Sequence, residues 1–360
     1  MNAPFIKWFL FVLIFFSCQQ KNTNRNAFYY WKTKYTFGNN DQNLADSLNV
    51  KKFYLRFFDV DWSETRQIPI PVSEFHYNWQ QKMPDHFVPC VFITNTVVLK
   101  CSLQQLDTLA NKMKLKIDAI SHDIFEQKKW EVWDQPDSVK NKIKNEWPEI
   151  QFDCDWTPDS KSRYFYLVKK MKQLFPDKVI AVTLRLWQLK NKEMSGIPPA
   201  DKVMLMCYSI GNPKEYSIEN SIASVSEIEK YIHNQDYSLP VDIALPVYSW
   251  GVIFRNKKFR TIATGLDIEE LENDPQKFIK KGENTYQFLT DTVIGNQYIR
   301  FGDELRYENL EPADLENLIK ILKKTPFYSK NSTIAFFSWD TTYINHYGKE
   351  NLKKYYNLFN

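Results

Sequence analysis

Several classes of function have no support in this 360-residue sequence. The 47 basic and 43 acidic residues are spread along the chain with no strongly basic block, which argues against nucleic-acid binding. The five cysteines include no CxxC pair and no Cys/His spacing typical of zinc sites, so we expect buried free thiols downstream of Cys18. There is no serine nucleophile elbow and no calcium-binding loop. The sequence therefore predicts neither a metal nor another cofactor.

The first 18 residues are predicted to be an export signal with a lipid attachment site. Lys7 precedes an apolar run over residues 8–16, which is too short to span a bilayer comfortably. Ser17 and Cys18 follow, and a polar stretch begins directly after them. This pattern resembles a bacterial lipoprotein signal, which is cut before a cysteine that then carries lipid. An ordinary secretory signal or a short membrane anchor is the alternative.

The rest of the chain is predicted to be a tether followed by one large domain. Residues 19–50 are rich in Asn, Gln, Lys and Thr, which is typical of a tether, and the apolar cluster at 28–31 is expected to pack on the outside of the domain. Residues 51–345 would then form the domain. We place the protein in the bacterial cell envelope, lipid-anchored to the outer membrane and facing the periplasm, because no acidic run follows Cys18.

Strand-like and helix-like segments alternate from residue 52 onward. The apolar strands are expected at residues 52–62, 87–98, 149–156, 179–188, 202–210, 240–250 and 333–340. Strands that are apolar on both faces and separated by helices indicate a parallel sheet covered by helices. About seven such units suit an α/β fold of the closed (β/α)8 TIM-barrel type, with an open doubly wound sheet as the alternative. Residues 256–308 break this rhythm, with a hairpin pattern at Gly295 and Asn296, so we predict a β-rich insertion that makes the seventh unit irregular.

Two strand ends carry the same acidic pattern, Asp-x-Asp-Trp. Asp59 and Asp61 end the first predicted strand, and Asp153 and Asp155 end the third. Because side chains alternate along a strand, the two carboxylates of each pair share a face, and like charges at that distance raise one another's pKa. Such pairs are typical of sites that move protons or hold cations. We therefore expect one acidic site to which both strands contribute.

In a (β/α)8 barrel the functional groups lie at the carboxyl ends of the strands. Besides the four aspartates, the residues at these ends that are candidates for substrate binding are Arg185, Trp187, Tyr208, Trp250, Trp339 and Asp340. Acids move protons, arginine holds an acceptor, and flat rings stack on sugars, so the set suits a glycan. Each residue also has a structural explanation: Asp155 in a turn, Asp153 in an ion pair with Arg185, and the tryptophans as filling for the upper end of the barrel.

Residues 150–156, Ile-Gln-Phe-Asp-Cys-Asp-Trp, resemble the fourth-strand motif Asp-x-Asp-x-Glu of chitinase-like glycoside hydrolases. Asp153 and Asp155 match its two aspartates, whereas Thr157 stands at the position of its catalytic glutamate. More widely, residues 50–345 resemble barrel lipoproteins of Bacteroidetes-type bacteria, with the phrases FDCDWTP and DIALPVYSWG. The missing glutamate leaves two outcomes: the barrel binds without cleaving, or the acid is another carboxylate, namely Asp61, Asp242 or Asp340.

These features together predict an envelope lipoprotein with a glycosidase-like barrel that acts on a glycan. Asp153 or Asp155 would be the base or electrostatic stabiliser and Asp61 the general acid, while Arg185 and the tryptophans orient the sugar. Carboxyls about 5 Å apart would imply retention of configuration, and a gap of about 6.5–9.5 Å inversion. The alternatives are a non-catalytic lipoprotein that binds a glycan or a protein partner, and a purely structural envelope protein. A deep cleft with a buried acid favours an enzyme, and a shallow aromatic platform favours binding.

Overall fold

The computed structural model describes residues 26–359 except 79–80, 85, 142, 144–146, 267 and 295–296. The predicted signal, the predicted acylation site at Cys18 and the predicted hairpin turn at Gly295 and Asn296 therefore lie outside the described residues. No helix within the described ranges is both long enough and apolar enough to cross a bilayer.

The secondary structure comprises the following elements in chain order. The strands are β1 (Asn26–Tyr30), β2 (Lys52–Ser63), β3 (Ile68–Val72), β4 (His86–Ile93), β5 (Glu149–Asp153), β6 (Val179–Arg185), β7 (Lys202–Met206), β8 (Val241–Pro246), β9 (Trp250–Arg255), β10 (Lys258–Thr264), β11 (Phe278–Lys280), β12 (Thr285–Phe288), β13 (Thr292–Ile294), β14 (Gln297–Ile299), β15 (Glu304–Glu308) and β16 (Ile334–Phe337). The helices are α1 (Asn39–Ser47), α2 (Asn95–Lys100), α3 (Leu103–Glu131), α4 (Asp137–Lys140), α5 (Lys161–Leu174), α6 (Leu186–Lys190), α7 (Lys192–Ser195), α8 (Val225–Ile232), α9 (Ile268–Asn273), α10 (Pro312–Leu322), α11 (Thr341–Tyr347) and α12 (Lys349–Leu358).

Eight parallel strands close into a barrel, which confirms the predicted (β/α)8 fold over the open sheet. Their order is β1, β2, β4, β5, β6, β7, β8 and β16, and β16 pairs back onto β1. Every residue of β5 and β8 is buried, because one face of each strand lines the interior and the other lies under helices. The short strand β3 adds to β2 in antiparallel orientation above the barrel.

The first barrel strand lies where the sequence predicted a tether. In β1, Phe28 and Tyr29 are buried, and Ala27 is in register with Lys52 on one side and Ala335 on the other. The tether prediction for residues 19–50 is therefore wrong from residue 26 onward, and the 28–31 cluster belongs to the barrel wall. A five-residue strand among polar residues has too little periodicity to stand out. The domain also continues past residue 345, since α12 packs on the barrel core.

A charged network fills the interior at the N-terminal end of the strands, which we call the floor. Lys202 Nζ lies 2.8 Å from a Glu149 oxygen and 2.7 Å from an Asp242 oxygen, and Lys52 Nζ lies 3.1 Å from Glu149. Burial alone would raise the pKa of Glu149, but the two lysines outweigh it and the pKa is lowered. Asp242 also accepts a hydrogen bond from the Thr333 N–H at 2.6 Å. Because Asp242 lies in the floor, it cannot replace the glutamate that is missing at the carboxyl ends of the strands.

The segment between β8 and α10 forms a separate sheet where the sequence predicted a β-rich insertion. Five antiparallel strands run in the order β10, β9, β15, β12, β11, with the hairpin β13–β14 beside them. This sheet has its own small core, which includes Ile253, Phe288 and Leu305. The sheet begins at Trp250, six residues before the predicted start, because β8 ends already at Pro246. The insertion therefore starts directly at the C-terminal end of a barrel strand.

Candidate functional site

Aromatic rings form a continuous arc at the carboxyl ends of the strands, the mouth of the barrel. Successive ring centroids are 5.7 Å apart from Trp31 to Phe337, 5.2 Å from Phe337 to Tyr208, 6.0 Å from Tyr208 to Tyr248 and 5.4 Å from Tyr248 to Trp250. Trp31, Phe337 and Trp250 are half-buried, whereas the two tyrosines are buried. The arc thus has partly exposed ring faces supported by a layer of buried phenols.

Sequence reasoning found only part of this arc. Tyr208 and Trp250 are the members of the arc that were predicted as substrate-binding residues. Trp31 was missed because its strand was taken for a tether, and Phe337 because the predicted strand placed Trp339 at its end. The signal that could have identified Trp31 is the run of aromatic residues at 28–31. Because seven strands were predicted and a closed barrel has eight, this run is the candidate for the missing strand.

Asp153 lies at the end of β5 and is almost completely buried. Its Oδ1 accepts a hydrogen bond from Thr183 Oγ1 on β6 at 2.6 Å. Burial raises the pKa of Asp153 to about 7, and the charges of Asp155 and Asp59 add to the rise, while Thr183 and Arg185 oppose it. The sequence attributed such a shift to the paired carboxylates, but desolvation is the largest cause. Near neutral pH this carboxyl group can therefore either donate or accept a proton.

Asp155 has a different environment although it is only two residues away. Its Oδ2 lies 3.2 Å from Nη1 of Arg185, and both side chains are a little under half exposed. An ion pair between Asp153 and Arg185 was one structural explanation for these residues, but Arg185 pairs with Asp155 instead. One carboxyl of the Asp-x-Asp pair is thus buried and the other is paired with a cation at the surface of the mouth.

An irregularity in β2 places an arginine beside Asp59, the first acid of the other Asp-x-Asp pair. The β2–β4 register shifts between Arg56 and Phe58, and this bulge places Arg56 and Asp59, three residues apart, on one side. Nε of Arg56 donates to Oδ1 of Asp59 at 2.8 Å, and Nη2 contacts the other oxygen. The guanidinium also lies 5.5 Å from the Trp31 ring centroid. Arg56 was not predicted, because a residue three before an aspartate normally faces the opposite way.

Trp339 and Asp340 lie outside the mouth arrangement. Trp339 is 2% exposed, packs edge-on against Phe28 at 5.0 Å and donates its indole N–H to Oδ1 of Asp41 at 2.9 Å. This corrects the prediction that it binds substrate, because a fully packed ring has no free face. Asp340 accepts a hydrogen bond from the Thr342 N–H at 2.9 Å as the N-cap of α11 and pairs with Lys32 at 2.6 Å. Its carboxylate therefore serves to cap a helix and to pair with a lysine.

The remaining predicted residues lie at the rim. Asp61 is exposed on β2 and accepts a hydrogen bond from Thr94 Oγ1 at 2.9 Å. Trp187 is 39% exposed and follows Arg185 in α6. Thr157, at the position of the family's glutamate, takes part in the turn before α5, where its N–H donates to Ser160 Oγ at 2.9 Å.

A buried ion pair in the insertion holds Trp250 in the arc. The Trp250 indole N–H donates to Oε2 of Glu308 at 2.9 Å, and Ser221 binds the same oxygen through its N–H at 2.8 Å. Oε1 of Glu308 accepts from Nε of Arg306 at 2.6 Å. Arg306 in turn donates to the carbonyl oxygens of residues 213, 215 and 216. The insertion sheet thereby fixes both a ring of the arc and the loop that follows β7.

Comparisons with known proteins give likeness of fold only. Neither a family model nor a curated protein sequence matches this chain. The spore cortex-lytic enzyme SleL of Bacillus cereus is similar over 93% of this chain and 73% of its own, with 12% identity and a TM-score of 0.49. Chitinase ChiA74 of Bacillus thuringiensis (88% and 65%, 9% identity, TM-score 0.42) and the xylanase and alpha-amylase inhibitor protein XAIP-II of Scadoxus multiflorus (63% and 80%, 13% identity, TM-score 0.33) are also similar. The strand pairing establishes the barrel by itself, and likeness of this degree assigns no activity.

Proposed function

We propose that this protein is a bacterial cell-envelope lipoprotein whose barrel mouth binds a glycan without cleaving it. The observation that carries the proposal is the aromatic arc, with half-buried rings at Trp31, Phe337 and Trp250. Sugar rings have apolar C–H faces that pack on aromatic rings, and hydroxyls that hydrogen-bond to charged groups. The Arg56–Asp59 pair supplies such groups beside Trp31, and the Arg185–Asp155 pair supplies them at the end of β6.

The carboxylates support binding over hydrolysis. Glycoside hydrolysis generally needs one protonated carboxyl and a second carboxylate that is free to act as base or nucleophile. Among the described mouth residues, Asp59 is held by Arg56 and Asp155 by Arg185. Asp61 accepts a hydrogen bond from Thr94 at the exposed rim, where solvent surrounds it, and Thr157 stands where the related motif has its glutamate. A carboxylate that is held by arginine is oriented to accept hydrogen bonds from sugar hydroxyls rather than to take up a proton.

Hydrolysis is the second candidate, and one observation favours it. Asp153 is buried and its pKa is raised to about 7, which is the environment that glycosidases give to their general acid. In that case Asp153 would protonate the leaving-group oxygen. Asp155, released from Arg185 by the substrate, would be the second carboxylate, which acts as base or nucleophile.

Replacement of Trp31 by alanine is expected to weaken glycan binding by about fivefold or more, because an aromatic contact is worth about 1 kcal/mol beyond the area that it buries. The measurement is calorimetric titration with a panel of oligosaccharides and peptidoglycan fragments. Trp130→Ala is the matched control, since Trp130 is an exposed indole on α3, 68% exposed. If no member of the panel binds, or if both variants bind like the wild type, the proposed glycan site is wrong.

The same incubations distinguish binding from cleavage when the products are analysed by mass spectrometry. The proposal expects intact oligosaccharides with the wild type. Fragments that form with the wild type and not with the Asp153→Asn/Asp155→Asn variant would establish the hydrolase in its place.

The lipid anchor is tested separately from the glycan site. The signal-like residues 1–18 support acylation of Cys18 and a position at the outer membrane facing the periplasm. Metabolic labelling with an alkyne fatty acid is expected to mark the full chain and not its Cys18→Ala variant. Equal labelling of the two chains, or labelling of neither, would contradict the anchor.

A further inference from the structure

Two tryptophans are exposed together at the C-terminal end of α3. Trp130 is 68% exposed and Trp133 is 67% exposed. The Trp133 backbone N–H donates to the Trp130 carbonyl oxygen at 3.2 Å, so the two exposed residues belong to one turn. Tryptophan combines a large apolar ring with a polar N–H and is enriched where one end of a side chain is apolar and the other is in water.

The turn that carries them lies beyond the floor, at the end opposite the mouth. With 29 residues α3 is about 43 Å long, whereas the eight residues of β4 extend over about 26 Å. The helix begins on the mouth side, where Gln105 Nε2 donates to the Gln67 carbonyl oxygen. Near its other end Glu131 accepts a hydrogen bond from the Met83 N–H at 2.9 Å, just before β4 enters the barrel. The last turn therefore projects past the strand starts.

The N-terminal part of the chain reaches the barrel from the same side. Asn26 is the first residue of β1 and is in register with Ile334, the first residue of β16, so β1 enters at the floor. Cys18 is eight residues upstream in the sequence, and eight residues extend over at most about 29 Å. An acyl group on Cys18 therefore keeps the floor within about 29 Å of a bilayer.

The charges around the two indoles are balanced rather than basic. Lys129 pairs with Glu126 at 3.0 Å, and Lys82 pairs with Glu131 at 3.7 Å. A surface that binds through anionic headgroups needs clustered lysines or arginines. Here the surface instead suits the interfacial zone of a lipid bilayer, in which indole rings lie between headgroups and acyl chains whatever the lipid charge.

We propose that the floor end of the barrel rests on the lipid surface through Trp130 and Trp133, so that the mouth faces away from the membrane. This inference rests on the acylation of Cys18 that is part of the proposed function, and it is independent of the glycan. It adds an orientation: the aromatic arc is presented to ligands on the side of the protein away from its anchor.

The test uses the full acylated chain in phosphatidylcholine vesicles that contain brominated lipid, which quenches tryptophans at the interface. The Trp130→Ser/Trp133→Ser variant is expected to lose about half or more of the quenched fluorescence of the wild type. The quenched signal is expected to persist in 0.5 M salt, at about the wild-type level, because the contact is not electrostatic. Trp187→Ser is the matched control, since it removes an exposed tryptophan at the mouth and should leave the quenched signal unchanged.

Quenching that is the same in the double variant and the wild type would overturn the proposed orientation. Loss of quenching in Trp187→Ser would show that the mouth, and not the floor, contacts the bilayer. A chain that lacks the acyl mass and does not bind vesicles would disprove the anchor and this inference with it. Vesicle-bound chain that shows the expected quenching but binds no glycan would contradict only the proposed ligand. The failure of each proposal is therefore distinguishable.

Discussion

Replacement of Glu308 by alanine is expected to destabilise the protein by about 3–5 kcal/mol, because it leaves a buried arginine without its counter-charge. The side chain of Glu308 is fully buried, and that of its partner Arg306 is 6% exposed. The carboxylate also accepts hydrogen bonds from Trp250 and Ser221, so several donors lose their acceptor at once.

Urea unfolding of the wild type and the variant measures this loss. The matched control is Glu272→Ala in the same insertion, where the Lys280–Glu272 pair is about half exposed on both sides. Solvent screens an ion pair in that position, so its loss changes the free energy of unfolding little. If Glu308→Ala unfolds within about 1 kcal/mol of the control, the network does not hold the insertion on the barrel. Weaker glycan binding by a Glu308→Gln variant that remains folded would further link the network to Trp250.

The Asp153→Asn variant is expected to become more stable than the wild type as the pH rises from about 4 to 7. The unfolded carboxyl has a pKa of about 3.9, and burial raises the folded pKa to about 7. Between these values the folded state binds more protons than the unfolded state, so the stability of the wild type falls as the pH rises. Three pKa units correspond to about 4 kcal/mol, which is the full difference expected above pH 7. Asparagine carries no charge and retains an oxygen that can accept the Thr183 hydrogen bond.

The measurement is the free energy of unfolding of both chains at intervals from pH 4 to pH 8. Asp155→Asn is the control, because the partly exposed Asp155–Arg185 pair accounts for at most about 1 kcal/mol. A difference between Asp153→Asn and the wild type that stays constant across this range would show that the pKa of Asp153 is not raised in the folded protein. The hydrolytic candidate would then lose the observation that favours it.

The barrel could largely be predicted from the sequence, because its signals are local. Strands such as β5 and β8 are apolar on both faces, and a helix of period 3.6 follows most of them. The exception was β1, whose residues 27–30 are buried only because β2 and β16 flank them.

For the site, the sequence by itself determined which strands end in acids and rings, because residue type and strand parity are local properties. The positions of Asp59, Asp153, Asp155, Arg185, Tyr208 and Trp250 follow from that. Only the tertiary structure decided which groups meet. Arg56 reaches Asp59 through a bulge, and Trp250 bonds to a glutamate 58 residues further along the chain. It also decided that Asp153 is desolvated while Asp155 is paired with a cation, since the dielectric around a carboxyl depends on which distant segments cover it.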